Sequence, residues 1–314
     1  MSNRPYDERV SSSRISLHLQ LISATVVEPP ATETTETAAT ETTIVRDCAR
    51  LYSTNYGVWN DTNKTVRVSA DFMRRTYMFD DACFMMVYQV AGDVIGYACA
   101  RTFVYHDEDT PPSPFSRVEC EQERKQAKKE TVAIWFSQLV VRHDYRNRGI
   151  ATRICRASID HMIEKNDAMI DSVDTVDTVD AVNTRSRDQT RAWACGIASS
   201  NPYAVRAVEK ACACACDVVM MKDERRATDF MRASGVSFLR GKPYDPVRCI
   251  VDTGFDVNTR CIALEKRVRN LLENGKWTHP CTDNAIPRGH EYVAIFSGNG
   301  SPPPLIVFTR TDDM

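Results

Sequence analysis

The chain has no run of about 18 apolar residues, so no membrane-spanning helix is expected. Its first residues lack the apolar core and small-residue cleavage site of a secretory signal. Arg4, Arg9 and Arg14 stand among serines, but Asp7 and Glu8 argue against a transit peptide. There is no excess of basic charge: 40 Lys and Arg stand against 42 Asp and Glu, a net charge of −2. That argues against a general nucleic-acid binder. The 12 cysteines lack the paired CxxC units and neighbouring histidines of a metal site, even in the dense run Cys212-Ala-Cys-Ala-Cys216. Reduced, small buried or half-exposed thiols are expected, in a soluble cytoplasmic protein without bound metal.

What is present suits a large globular core: 43% of the 314 residues are hydrophobic and 26% are charged. Ile15, Leu17, Leu19 and Leu21 alternate with polar residues and predict a strand. Residues 28–43 are low-complexity Thr, Glu, Ala and Pro and predict a disordered loop, followed by a helix over 44–52. Ser69 can cap a second helix. Strands are expected over 83–90 and 94–104, joined through Ala91-Gly92-Asp93. Pro-rich and charged residues 107–130 and a triplet repeat in 171–188 read as surface loops. A strand over 191–199 precedes Asn201-Pro202, which opens a helix with Pro where its missing N–H does no harm. Beyond residue 220 come a helix (223–233), strands near 235–240 and 248–253, a helix over 258–274 and a last strand over 291–297. The expected organisation is a flexible 1–11, one domain over 12–298 and a tail over 299–314.

One segment states a chemistry. The apolar run Val132-Ala-Ile-Trp-Phe-Ser-Gln-Leu-Val-Val141 leads into the basic turn Arg142-His-Asp-Tyr-Arg-Asn-Arg-Gly149, and a helical pattern starts at Ile150. Strand, turn and helix start gather backbone N–H groups and a positive dipole end, which suits a phosphate. Neither GxxxxGK[ST] nor GxGxxG occurs here, so the Walker loop and the dinucleotide fingerprint are excluded. What remains is Arg146-Asn-Arg-Gly-Ile-Ala151, an R-x-x-G-x-A turn.

This segment resembles the acyl-CoA-binding motif of the GNAT acetyltransferase superfamily, [QR]-x-x-G-x-[GA]. Leu139–Ala151 matches it across strand, loop and helix, and the order of elements agrees over roughly residues 12–216. The resemblance implies an α/β (α+β) fold with a mixed, mostly antiparallel twisted sheet flanked by helices, long loop expansions and a C-terminal elaboration over about 220–290. It implies acetyl-CoA as acyl donor and a primary amine as acceptor. The amides of Arg146, Asn147, Arg148, Gly149, Ile150 and Ala151 would hold the pyrophosphate, with Thr152 as a hydroxyl contact and Arg146 or Arg148 adding charge. A side chain at Gly149 would meet the ligand. Leu139, Val140 and Val141 would offer backbone to the pantetheine, where the strand splays from its neighbour. Ser200 or Asn201 would form the second half of the site, an Asn at that position touching the pantetheine arm. Arg142 and Arg153 read as solvated.

The family pattern departs at the proton-transfer positions. The motif strand carries no carboxylate after Glu130. The segment Asn201-Pro-Tyr-Ala-Val-Arg-Ala-Val-Glu-Lys210 has Val208 where many members have Tyr. Tyr203 is the substitute acid, although it lies on another side of the helix. His290 and Glu291 are candidates for the base. The C-terminal part, with Cys249-Ile-Val-Asp-Thr and Gly289-His-Glu, is similar to an elaboration of some bacterial GNAT-like proteins. If the final strands complete the sheet, 253–288 is an insertion between them. The expected function is an acyl-CoA-dependent N-acyltransferase; the alternative is an acyl-CoA-binding module without turnover.

Overall fold

The computed structural model describes residues 17–23, 35–106, 130–173, 192–258, 264–281 and 286–300. The expectations for the two termini, most of 107–130 and the triplet repeat lie outside these residues.

Eight strands form one sheet in the order β1-β3-β4-β5-β6-β10-β8-β7. They are β1 (Leu17–Ser23), β3 (Cys83–Val90), β4 (Asp93–His106), β5 (Glu130–Val141), β6 (Ala192–Ser199), β7 (Tyr244–Asp245), β8 (Ile250–Asp252) and β10 (His290–Asn299). Only β5 and β6 pair in parallel; every other neighbouring pair is antiparallel. Two short strands, β2 (Val58–Trp59) and β9 (Val257–Asn258), make a separate ribbon. The sheet is therefore mixed and mostly antiparallel, with helices on both faces, as the sequence led one to expect.

The helices are α1 (Thr35–Asn55), α2 (Ala70–Tyr77), α3 (Ile150–Val173), α4 (Pro202–Cys212), α5 (Val218–Lys222), α6 (Glu224–Ala233) and α7 (Leu264–Glu273). On one face, Ile44, Val45, Cys48, Leu51 and Tyr52 of α1 bury against Met85, Val87, Tyr97, Cys99 and Val140. On the other, Ile150, Ile154, Ile159 and Met162 of α3 and Val205 and Val208 of α4 cover Met86, Ala98, Ala100 and Ile197. The expected loop over 28–43 is corrected: from Thr35 onward it is helix. Once the 44–52 stripe docks, the helix extends back to Thr35 at little cost, because each added residue gains a backbone bond once the nucleus exists.

Local signals behave as their chemistry dictates. Ser69 Oγ accepts the Phe72 N–H at 3.0 Å and caps α2. Ala91 and Gly92, with φ of 50° and 87°, form a two-residue hairpin turn whose twist matches its strands. The expected strand near 235–240 is instead a 3-10 turn at Ser237–Leu239. Asn258, within the helix expected over 258–274, instead pairs with Val58, and helix is present over Leu264–Glu273. Residues 253–288 run between β8 and β10, which are antiparallel neighbours.

Two departures from regular pairing shape the sheet centre. At Ser137, β5 carries one extra residue, since Phe136 pairs with Ala100 and Gln138 with Cys99. The β5–β6 pairing runs from Thr131↔Ala192 to Phe136↔Ile197 and stops there. Beyond it β5 continues along β4 to Val141↔Gly96, while β6 continues along β10 to Ser199↔Tyr292. The sheet thus divides above Phe136. Below the division it closes tightly, because the Trp135 ring lies over Gly196. A Cβ there would stand 2.3 Å from two ring carbons and 2.9 Å from Phe230. Gly196→Ala should therefore lower stability by about 1–3 kcal/mol in urea denaturation followed by circular dichroism.

Candidate active site

The division between β5 and β6 is a cleft with two flanks. At its mouth on the β5 side lies the turn between β5 and α3. Asn147 and Gly149 have φ of 63° and 74°. Left-handed positions so close together turn successive N–H groups toward one point. Helix α3 starts at Ile150, and Arg153 N–H already reaches Gly149 O at 3.1 Å. The first helical N–H groups, from Ile150 to Thr152, have no carbonyl one turn earlier to bond. Nothing lies within 4 Å of a Cβ built on Gly149, so the space above the turn is open. These features fit a pyrophosphate on backbone donors.

The arginines of the turn divide their work. Arg146 is half-buried; its Nε donates to Val141 O at 3.1 Å and its guanidinium to Asn55 O at 3.0 Å. Burial lowers its pKa. It ties the turn to the end of β5 and the end of α1. His143 N–H adds a bond to Asn55 Oδ1 at 3.0 Å. Arg142 pairs with Asp144 at 2.9 Å, and Arg142 and Arg148 both lie over the Tyr145 ring, at 4.5 and 5.0 Å. Arg153 reaches Tyr88 Oη at 3.3 Å. Of these, Arg148 and Asn147 are exposed beside the open space.

Leu139, Val140 and Val141 line the division, and from Ser137 onward β5 has no strand partner on its β6 side. Val141 O is occupied by Arg146. Across the cleft Asn201 caps α4, accepting the Tyr203 N–H at 3.2 Å, and its own N–H meets Ser199 Oγ at 3.1 Å. Tyr203 is 42% exposed in the first turn of α4, while Val208 is fully buried in the core. Five residues apart on a helix, the two point about 140° away from each other. Glu130 stands at the far end of β5, opposite His106.

Sequence-distant residues build the flank beneath α1 and α2. Glu291, 6% exposed, is the one buried carboxylate of β10. Burial pushes its pKa up to about 7, against the opposing effect of the nearby Thr253 hydroxyl, which itself donates to Gly289 O at 3.1 Å, and of the nearby Ser200 N–H. The tyrosines Tyr52, Tyr56 and Tyr77 are near enough to feel its charge. On the facing strand, Gln138 Oε1 accepts the Tyr97 hydroxyl at 2.9 Å, and its Nε2 has no hydrogen-bond partner among the described residues. The Tyr77 phenol leans toward that carboxamide without reaching hydrogen-bond geometry, and burial raises its pKa. His290 is half-buried with Nδ1 at 3.1 Å from Arg288 O. Strand alternation sends His290 and Glu291 to opposite faces, so they do not act as a contiguous pair. Sequence alone does not mark Tyr77 and Gln138 as site residues, since nothing local distinguishes them.

The described cysteines form no disulfide with one another, and no metal-binding group of His, Cys, Asp or Glu occurs among the described residues. Cys212 ends α4 and Cys214 and Cys216 follow it, with thiols raised chiefly by burial at Cys212 and Cys216 and by its bond to Cys212 at Cys214. No helix is long and apolar enough to cross a membrane among the described residues.

Glu291 couples pH to stability. Its folded pKa lies above its unfolded value, so its full contribution is present in acid. That contribution is lost as pH rises from about 4.5 to about 7. Glu291→Gln should therefore be more stable than the parent at pH 8 by about 2–3 kcal/mol, with the gap closing at pH 4. Urea midpoints at the two pH values measure it.

The model of the acetyltransferase (GNAT) family matches residues 46–196. No curated protein matches the chain. Similar solved structures include an aminoglycoside acetyltransferase from an uncultured soil metagenomic sample in complex with sisomicin, at 11% identity over 48% of this chain and 71% of that one, TM-score 0.28. Another is a ribosomal-protein-alanine N-acetyltransferase from Brucella melitensis biovar Abortus 2308, at 16% identity over 48% and 76%, TM-score 0.28. A third is Arabidopsis thaliana NAA60 in complex with acetyl-CoA, at 11% identity over 62% and 82%, TM-score 0.31.

Proposed function

From a chain whose residues 46–196 are a GNAT acetyltransferase domain, we propose an acyl-CoA-dependent N-acyltransferase that moves acetyl from acetyl-CoA to a primary amine by direct attack in a ternary complex. The observation that carries this reading is the division of β5 from β6 with the open Gly149 turn at its mouth. The pyrophosphate sits on the amides of Arg146 to Ala151, with the Thr152 hydroxyl and Arg148 beside it. The pantetheine lies along Leu139 to Val141 and against Asn201.

On the acceptor flank Glu291 is the base. A carboxyl poised near 7 holds its proton weakly enough to ionise at neutral pH, yet takes one readily from an attacking ammonium or amine. The amine nitrogen bonds to the thioester carbonyl carbon, the carbon–sulfur bond breaks, and the amine proton passes to Glu291. The leaving thiolate takes its proton from a phenol. Tyr77, kept protonated by burial next to Gln138, is the better placed donor; Tyr203, exposed on α4, is the comparison. His290 lies on the other face of the strand.

Three measurements test this. Gly149→Glu should weaken acetyl-CoA binding in calorimetry by about tenfold or more. Because the space above Gly149 is open, a folded variant with unchanged affinity removes the phosphate assignment. Turnover in the parent should rise with pH up to about 7 and level off, and Glu291→Gln should flatten that limb and lower kcat by about 100-fold. Tyr77→Phe should lower kcat by about tenfold or more, and Tyr203→Phe by less. Saturable acetyl-CoA binding with no acceptor across an amine panel would instead support a binding module without turnover.

A further inference from the structure

Resting on the acyltransferase reading, the geometry points to an acceptor whose amine is carried on a flat apolar body: an arylalkylamine rather than an amino sugar, a polyamine or an acidic peptide. Beside the Glu291 carboxyl stands a run of aromatic rings. Tyr52 stacks on Tyr56 at 4.3 Å, the Tyr56 ring meets the Phe255 ring edgewise at 5.6 Å, and Phe255 meets Trp59 edgewise at 5.0 Å. Tyr52 is buried, whereas Tyr56, Trp59 and Phe255 are each half-exposed, so their rings offer apolar surface that a ligand would cover.

The rings are held in place rather than scattered on a loop. β2 pairs with β9 through Trp59↔Val257, Asn60 N–H bonds Asp256 O at 3.2 Å, and the Asn60 carboxamide bonds the Asp256 carboxylate. Gly289 O accepts the N–H groups of both Thr253 and Gly254 at 3.0 Å, which pins the segment before Phe255 to the start of β10. Glu291 lies close enough to Tyr52 and Tyr56 for both phenols to feel its charge, and the Tyr56 ring in turn meets Phe255. The proposed base and the ring surface are therefore neighbours, as an amine joined to a ring by a short alkyl link requires.

The same surroundings disfavour the other acceptors. A substituent rich in hydroxyls would lose water against ring faces that return few hydrogen bonds. A second ammonium would approach Lys242, whose Nζ lies beside Gly254. Ring faces attract a single alkylammonium before it gives up its proton. An acidic chain would bring its carboxylates toward Glu291, whose charged form burial already disfavours.

The experiment follows CoA release by the full-length protein with phenethylamine, tryptamine, glucosamine, spermidine and kanamycin. Phenethylamine and tryptamine should exceed the others in kcat/KM by about tenfold or more. Phe255→Ala and Trp59→Ala should each raise KM for phenethylamine by about tenfold, with kcat and acetyl-CoA affinity little changed. Preference for the sugar or polyamine, or unmoved KM in both folded variants, overturns the inference and leaves the acyltransferase reading intact. If no amine releases CoA, that reading falls. Saturation-transfer NMR with phenethylamine then decides the ring surface: a signal lost in Phe255→Ala supports it, and no signal with the parent overturns it.

Discussion

The end of the β5–β6 pairing at Phe136 is the constraint on which the rest of this structure depends. Parallel strands exchange evenly spaced bonds, and stopping them leaves backbone groups on one edge without a strand partner. The sheet sustains this because each half is pinned elsewhere. Below the division Trp135 seals against Gly196, a position where only glycine fits. Above it the Ser137 bulge turns β5 toward β4, and β6 is held by β10. Had the pairing run on to Val141, the cleft would be closed and neither flank would face the other.

The two flanks differ in how they handle charge. The turn after β5 offers backbone donors and exposed arginine to an anion, and it is braced by Arg146 and Asn55. The flank under α1 and α2 is its electrostatic counterpart: one carboxyl, cut off from water, among tyrosines that stay protonated. Keeping a carboxyl in that setting costs stability at neutral pH. Such costs concentrate at functional sites, where a group must titrate close to the working pH.

The C-terminal elaboration supplies much of the second flank. Thr253, Phe255 and Glu291 lie outside the family-matched 46–196, while Gly149, Asn147 and the β5 edge lie inside it. The proposed donor site thus lies in the shared part of the chain. The groups proposed to receive the amine come from strands added beside β6, and from a two-stranded ribbon that brings Trp59 to Phe255 across nearly two hundred positions of sequence.

The sequence alone determined whatever local chemistry determines. The Arg146–Ala151 turn, the caps at Ser69 and Asn201 and the hairpin at Ala91-Gly92 each depend on neighbours within a few residues, so their side chains and backbone preferences state the outcome. The absence of Tyr at position 208 was equally plain. Tertiary structure decided what depends on distant partners. Residues 35–43 of the low-complexity stretch are helix because the stripe after them docks on the sheet. A 3-10 turn at Ser237–Leu239 stands where a strand was expected, in a segment too short for local propensity to choose between the two. Glu291 was a bare candidate in sequence. Its burial and its nearness to Thr253, Ser200, Tyr52 and Tyr77 arise only when five separate segments pack together, because desolvation is a property of the assembled site and not of the residue.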